Sequence, residues 1–311
     1  MIDKQTLGYT KPLYILAFDQ RSSFSKEIFG ISSEVNEQEK QEIASYKRII
    51  YEAFENALAL GVPVEHAAFL CDEEFGDAIL RDAGQKRYTF LLATERSGQR
   101  EFDLNYGEEF AAHIEKYKPT FVKVLVRYNP EDDIALNKRQ CEKMKLVSDY
   151  AHEHGYKFLI EALIPPTPNQ MKEAGGESKR FDVETRPRLV KQTIKEIQDA
   201  GIEVDVWKIE GLEKREEYQS VVAQARAGGR ERVSIVILGR HAPDRQVEHW
   251  LLAGRGVEGV IGFAIGRTIF WDPLVAVKKA SMTPADAVVA MARKYLHFYR
   301  VFTGEKEKIS F

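Results

Sequence analysis

Eight short apolar runs recur along the chain, separated by stretches with helical periodicity. The runs are 13–18, 67–71, 89–94, 121–126, 157–163, 204–210, 233–238 and 259–265. Between them, 37–60 places Ile43, Ile49, Ile50, Ala53, Phe54, Ala57 and Leu58 at helical spacing. Amphipathic helices are also predicted over 108–117, 137–154, 213–227 and 244–253, with a short one near 74–82. Pro187 suits a first helical turn and Gly201 its end. Thr283-Pro284 opens a final helix to about Tyr299, with Asp286 in its first turn. Strands that are apolar almost throughout and alternate with helices predict a parallel sheet covered by helices. Eight such units predict a single (β/α)8 TIM barrel, an α/β fold, with one domain over residues 1–311. The longest stretch without periodicity is 164–186, read as a surface loop, either a lid over the site or a disordered insertion.

The chain has 311 residues, and a barrel of this type needs about 250 plus insertions. Hydrophobic residues make up 44%, enough for a large core. The net charge of −3 supplies no basic field for nucleic acid or membrane, so neither is expected as a partner. Two isolated cysteines, Cys71 and Cys141, suit a reducing compartment. No apolar run approaches the ~20 residues of a membrane span, and the first residues lack a signal-peptide core. The expectation is a cytoplasmic protein. Gly254, Gly256 and Gly259 match G-x-G-x-x-G, but the motif follows a helix and opens a strand. That is the reverse of a dinucleotide site, and no cofactor is expected.

Charged residues gather at one end of the strands. Active sites of these barrels lie at the C-terminal ends of the strands, and there the sequence sets Asp19-Gln20-Arg21, Asp72-Glu73, Glu95, Lys123, Glu161, Lys208, Gly239-Arg240-His241 and Gly266-Arg267. Alternation within VDVWKIE puts Trp207 and Ile209 on one face and Val204, Val206 and Lys208 on the other. The bulky apolar pair suits the helix layer, which turns Lys208 to the barrel axis. Glu161 shares a face with Leu159, and Lys123 with Phe121 and Leu125. Two lysines are then expected to flank one glutamate inside the barrel. A buried charge network that fixes register would account for this, but such networks contribute little net stability. The chemical reading is more specific. A neighbouring cation and partial burial both favour a free amine, a free amine attacks a ketone to form a Schiff base, and a nearby carboxylate shuttles the protons. Those are the parts of a metal-independent aldolase. Gly239-Arg240 and Gly266-Arg267 follow strands seven and eight, where barrels often hold a phosphate, so both arginines are candidates for an anion grip.

Motifs along almost the whole chain carry a family resemblance: LAFDQR (16–21), TERSGQ (94–99), VKVLVRYNP (122–130), FLIEA (158–162), VWKIEG (206–211), ILGRHAP (237–243) and GFAIGRTIFWDP (262–273). The chain resembles class I aldolases of the tagatose-1,6-bisphosphate aldolase group. It looks closer still to the aldolase-like domain fused to some bacterial 5-dehydro-2-deoxygluconokinases of inositol catabolism. The resemblance implies Lys208 as the Schiff-base lysine, Glu161 as general acid/base and Lys123 as the neighbouring cation. It further implies Asp19 and Gln20 at the sugar hydroxyls, and Gly266 with Arg267 at a phosphate. Arg21, Glu95, Gly239 and Arg240 complete the expected substrate site. The implied substrate is 2-deoxy-5-keto-gluconate 6-phosphate, cleaved to dihydroxyacetone phosphate and malonate semialdehyde. Tagatose-bisphosphate and sulfosugar-phosphate aldolases or transaldolases would share the lysine chemistry, and a non-catalytic sugar-phosphate sensor would share the pocket.

The histidines do not suggest a metal site. Only His66 and His241 fall near a strand, His66 at the opposite rim, and His152 and His154 are two apart on a helix and face differently. Cys71 has no histidine placed to activate it and is read as core. The aromatic segment YLHFYRVFTG suits core packing, cover for the barrel base, or a contact in a homo-oligomer.

Overall fold

The structure, a computed structural model, describes residues 4–306. Its centre is a closed barrel of eight parallel strands in sequence order. They are β1 (Leu13–Ala17), β2 (Ala67–Asp72), β3 (Thr89–Ala93), β4 (Phe121–Arg127), β5 (Lys157–Leu163), β6 (Val206–Glu210), β7 (Ser234–Leu238) and β8 (Val260–Ile265). Around them run α1 (Ser22–Phe29), α2 (Glu37–Ala59), α3 (Glu73–Lys86), α4 (Phe110–Tyr117), α5 (Ile134–Glu153), α6 (Pro168–Glu173), α7 (Ser178–Glu184), α8 (Arg186–Asp199), α9 (Arg215–Ala225), α10 (Asp244–Gly254), α11 (Arg267–Lys278) and α12 (Pro284–Thr303). The strands are buried along nearly their whole length because helices cover one face and side chains fill the other.

Alternation sorts the core into two clusters. Leu13, Ile15, Leu70, Leu91, Phe121 and Leu159 are among the residues packed inside the barrel. Phe69, Trp207, Ile209, Ile235 and Phe263 belong to the larger cluster between sheet and helices. Val206 lies inside, as expected for the Lys208 face. Val204 does not, because β6 begins only at Val206 and Val204 packs in the outer layer.

The N-terminal segment closes the bottom of the barrel. Tyr9 N–H donates to the Arg232 carbonyl at 3.0 Å, and the Tyr9 ring meets Phe121 edge-on at 5.0 Å between centroids. Buried Asp205 accepts from Gly8 N–H at 2.7 Å and Phe158 N–H at 2.8 Å. The aromatic segment forms the last turns of α12, which packs on α2; the Tyr295 hydroxyl donates to the Tyr14 carbonyl at 2.6 Å. Cys71 is fully buried, and burial pushes its thiol well up, so it is a core residue. Among the described residues, no helix is long and apolar enough to cross a membrane.

Segment 164–186 differs from the loop expected. It forms α6 and α7, joined through Thr185 to α8. Thr167 and Gln170 make a reciprocal capping box at the start of α6, and Phe181 of α7 is buried. Helices of six and seven residues complete fewer than two turns, too little repetition for a helical pattern to stand out in the sequence.

Candidate active site

A cavity of about 360 Å³ occupies the C-terminal mouth of the barrel. Its depth is built from strand register. Glu161 on β5 pairs directly with Lys208 on β6, whereas its partner on β4 is Leu125. Lys123 lies one inward-facing position deeper. The two lysines therefore approach Glu161 from different levels. Lys208 Nζ donates to Glu161 Oε2 at 2.8 Å, and Lys123 Nζ lies 3.1 Å from that same oxygen. Lys123 also donates to Asp19 Oδ2 at 2.6 Å and to Glu95 Oε1 at 2.8 Å.

Three carboxylates thus surround one fully buried ammonium, and that arrangement sets the charge states. Burial alone would push Lys123 down, but Asp19, Glu95 and Glu161 more than offset it and hold it above the ordinary lysine value. Burial would raise Asp19; Lys123 and Lys208 outweigh it and hold Asp19 well below the usual carboxylate range. Glu161 is likewise lowered by Lys208 and Lys123 against its own burial. Glu95 is fixed further by Leu125 N–H, which donates to its Oε2 at 3.2 Å.

The expected site residues separate by position. Asp19, Gln20, Glu161, Lys208 and Arg267 line the cavity. Lys123 does not; it lies beneath, as the cation that organises the carboxylates. Gly239 does not line it either, being buried against Ile265. Arg21 reaches the cavity wall, but its Nη2 donates to the Glu95 carbonyl and lies 3.5 Å from Glu95 Oε1. It is a strut for Glu95 more than a free cation. Arg240 also lines the wall and is paired with Asp182 at 2.7 Å and Glu210 at 3.1 Å.

Arg267 contrasts with these. Among the described residues its guanidinium has no hydrogen-bond or ion-pair partner. It begins α11, whose N-cap Gly266 supplies no side-chain cap. The first turn of a helix leaves N–H groups without intrahelical acceptors, and their partial positive charge favours an anion. Gly266 is required here, because a Cβ would stand 2.0 Å from the Ala17 carbonyl oxygen. The turn before α10 contributes His241, whose titration is pushed down by burial and by Arg267. Arg240 and His241 both have positive φ, 54° and 60°, in a tight turn closed by Ala242 N–H on the Gly239 carbonyl at 2.9 Å.

Further residues line the cavity beyond those expected from the strand ends. Glu210 lines the cavity and lies on the inward face two residues beyond Lys208; alternation would have flagged it. Arg127 extends the Lys123–Leu125 face in the same way. The loop after β3, Arg96 to Phe102, covers one side of the mouth; its only sequence signal was the TERSGQ motif. Among the described residues, no group of three or more His, Cys, Asp or Glu side chains could hold a metal ion.

A family model described as "Uncharacterized protein conserved in bacteria (DUF2090)" matches residues 4–306. The chain belongs to this DUF2090 family. No protein of curated function matches it in sequence. Solved structures similar to this DUF2090 member include a fructose-bisphosphate aldolase from Slackia heliotrinireducens, at 14% identity and a TM-score of 0.58, over 99% of this chain and 89% of that one. A fructose-bisphosphate aldolase from Plasmodium falciparum, solved with TRAP and a small-molecule inhibitor, gives 12% identity and a TM-score of 0.60, over 98% and 93%. The Cgl0159 protein of Corynebacterium glutamicum gives 18% and 0.56, over 94% and 87%. At these identities the likeness is one of fold, and the barrel is the fold that fructose-bisphosphate aldolases use.

Proposed function

We propose that the protein is a class I, Schiff-base aldolase that cleaves a phosphorylated keto sugar or sugar acid. The observation that carries this reading is the Lys208–Glu161 pair at 2.8 Å in the wall of a cavity that also presents an unpaired arginine, Arg267. Lys208 Nζ attacks the ketone carbon, and water leaves as the C=N bond forms. Glu161, already in contact with Nζ, takes and returns the protons of that exchange. The protonated imine then accepts the electron pair of the adjacent C–C bond. The β-hydroxyl gives up its proton as that bond breaks, an aldehyde departs, and the remaining enamine is reprotonated and hydrolysed. Asp19 and Gln20 line the same wall and serve the sugar hydroxyls. Gly266 and Arg267 at the start of α11 serve the phosphate.

The motif resemblance narrows the substrate to 2-deoxy-5-keto-gluconate 6-phosphate, giving dihydroxyacetone phosphate and malonate semialdehyde. Incubation with dihydroxyacetone phosphate and borohydride, followed by intact mass measurement, tests the chemistry. A reduced adduct should form on the wild type and be absent from Lys208→Ala. Binding of dihydroxyacetone phosphate without an adduct would instead favour a sugar-phosphate sensor. Condensation of dihydroxyacetone phosphate with a panel of aldehydes, malonate semialdehyde among them, tests the substrate.

A further inference from the structure

The helical insertion between β5 and α8 does not line the cavity, yet it is wired to it. Asp182 of α7 accepts from Arg240 Nη1 at 2.7 Å through Oδ2, and its Oδ1 is paired with Arg186 Nη2. Arg186, itself buried, lies 3.4 Å from Glu210 through Nε. Glu210 closes the ring, 3.1 Å from Arg240 Nε, and its Oε2 accepts from Ile164 N–H at 2.9 Å. Two cations and two carboxylates form a balanced ring that spans the ends of β6 and β7 and the insertion.

The arrangement is expensive for stability alone. Glu210 and Arg186 are both buried, and buried ion pairs often cost as much in desolvation as they return. What the ring does achieve is to fix Arg240. Its Nε faces one carboxylate and its Nη1 bonds another, while Nη2 donates no hydrogen bond within the protein among the described residues. Arg240 also lines the cavity, on the loop beside the start of α11. The turn that carries it holds two successive non-glycine residues at positive φ, a cost that persists only where surrounding structure enforces it.

We propose that Asp182 is a positioning residue: with Glu210 it clamps Arg240 so that the free Nη2 becomes a second donor, beside Arg267, to the anionic end of the substrate. The insertion is then a specificity element acting through one side chain. The inference rests on reading the cavity as a sugar-phosphate site, and it extends that reading to residues outside the cavity.

Two ligands separate the inference from the reading beneath it. Glycerol 3-phosphate carries the anion without a carbonyl, so calorimetry with it reports the anion grip alone. Dihydroxyacetone phosphate, compared with unphosphorylated dihydroxyacetone, reports imine trapping by borohydride. Asp182→Asn should weaken glycerol 3-phosphate binding about tenfold. It should raise the half-saturating dihydroxyacetone phosphate by a similar factor, and leave the trapping rate at saturation and the response to dihydroxyacetone within about twofold. Arg240→Met should lose at least as much, and adding Asp182→Asn to it should cost nothing further, because the two act as one unit. Asp182→Glu, which restores the charge, should recover part of the loss. A fall in Asp182→Asn that is equal for both triose ligands, or additive with Arg240→Met, would mean a merely structural role and overturn the inference. Wild-type protein that binds glycerol 3-phosphate in an Asp182-dependent way but never forms an adduct would overturn the aldolase reading and leave the clamp standing. Wild-type protein that forms the adduct while Asp182→Asn binds glycerol 3-phosphate normally would do the reverse.

Discussion

Gly266 shows how one missing side chain can shape a site. β8 ends and α11 begins at this residue, hard against β1, and the nearest atom to a Cβ there would be a backbone oxygen. Backbone cannot swing aside as a side-chain tip can. Gly266→Ala should therefore destabilise the fold by about 1–3 kcal/mol or more and weaken phosphate-ester binding, read by urea denaturation and calorimetry. Gly84 is the contrast. It is exposed in α3 with no atom within 4 Å of the position a Cβ would take. Gly84→Ala should be neutral or stabilising by up to ~1 kcal/mol, since a helix gains by losing a glycine's unfolded-state freedom. The glycine-rich motif at 254–259 carries the same lesson. A Cβ on Gly254 would meet Ile237 Cδ1 at 2.5 Å, and one on Gly259 would meet Val222 Cγ1 at 2.6 Å. These glycines serve packing and a turn, as their position after a helix implied.

At the level of elements, the strands were legible because burial on both faces leaves a mark of continuous apolar residues. The long helices were legible because a one-sided face leaves a mark of period 3.6. Where neither condition holds, the pattern fell silent. α1 (Ser22–Phe29) was not foreseen, nor was α11, whose Arg-Thr-Ile-Phe-Trp start and internal Pro273 blur any helical stripe. α3 runs further than the short stretch expected, through Lys86. Within the site, the same alternation that turned Lys208, Glu161 and Lys123 inward could have supplied Glu210 and Arg127. Nothing in a linear sequence could have joined Asp182 to Arg240, 58 residues away; that contact exists only because the insertion folds back over β6 and β7. Phe181 is the anchor of that fold-back, 1% exposed with the Arg186 guanidinium 5.3 Å from its ring. Phe181→Ala should cost about 3–5 kcal/mol if the insertion unfolds with the barrel. If the insertion opens by itself, the cost should appear locally, as faster proteolysis within 164–186 and an unchanged denaturation midpoint. Limited proteolysis run beside urea denaturation distinguishes the two.

The whole molecule carries its charge cluster as a pH-dependent term in stability. Asp19 and Glu161 are held below their unfolded values. Their contribution is therefore fully present above about pH 4, the unfolded carboxylate range, and is lost as pH falls through the lower folded values. Lys123 is held above its unfolded value. Its contribution is complete below about pH 10 and is lost as pH rises through the folded value. Between those limits this cluster should give a flat profile. Lys123→Met removes the shared cation, leaving Asp19 without an ion-pair partner among the described residues and Glu161 and Glu95 with Lys208 and Arg21 alone, a loss expected to cost about 3–5 kcal/mol at neutral pH. It should also reshape the profile. Burial, no longer opposed by Lys123, raises Asp19 and Glu161, so acid unfolding should begin at higher pH than in the wild type. The alkaline loss that Lys123 contributes should vanish. Unfolding free energies from urea titrations at a series of pH values check both limbs. A variant merely less stable by a constant amount at every pH would show that Lys123 fills space and does not set the charge states around the candidate Schiff-base lysine.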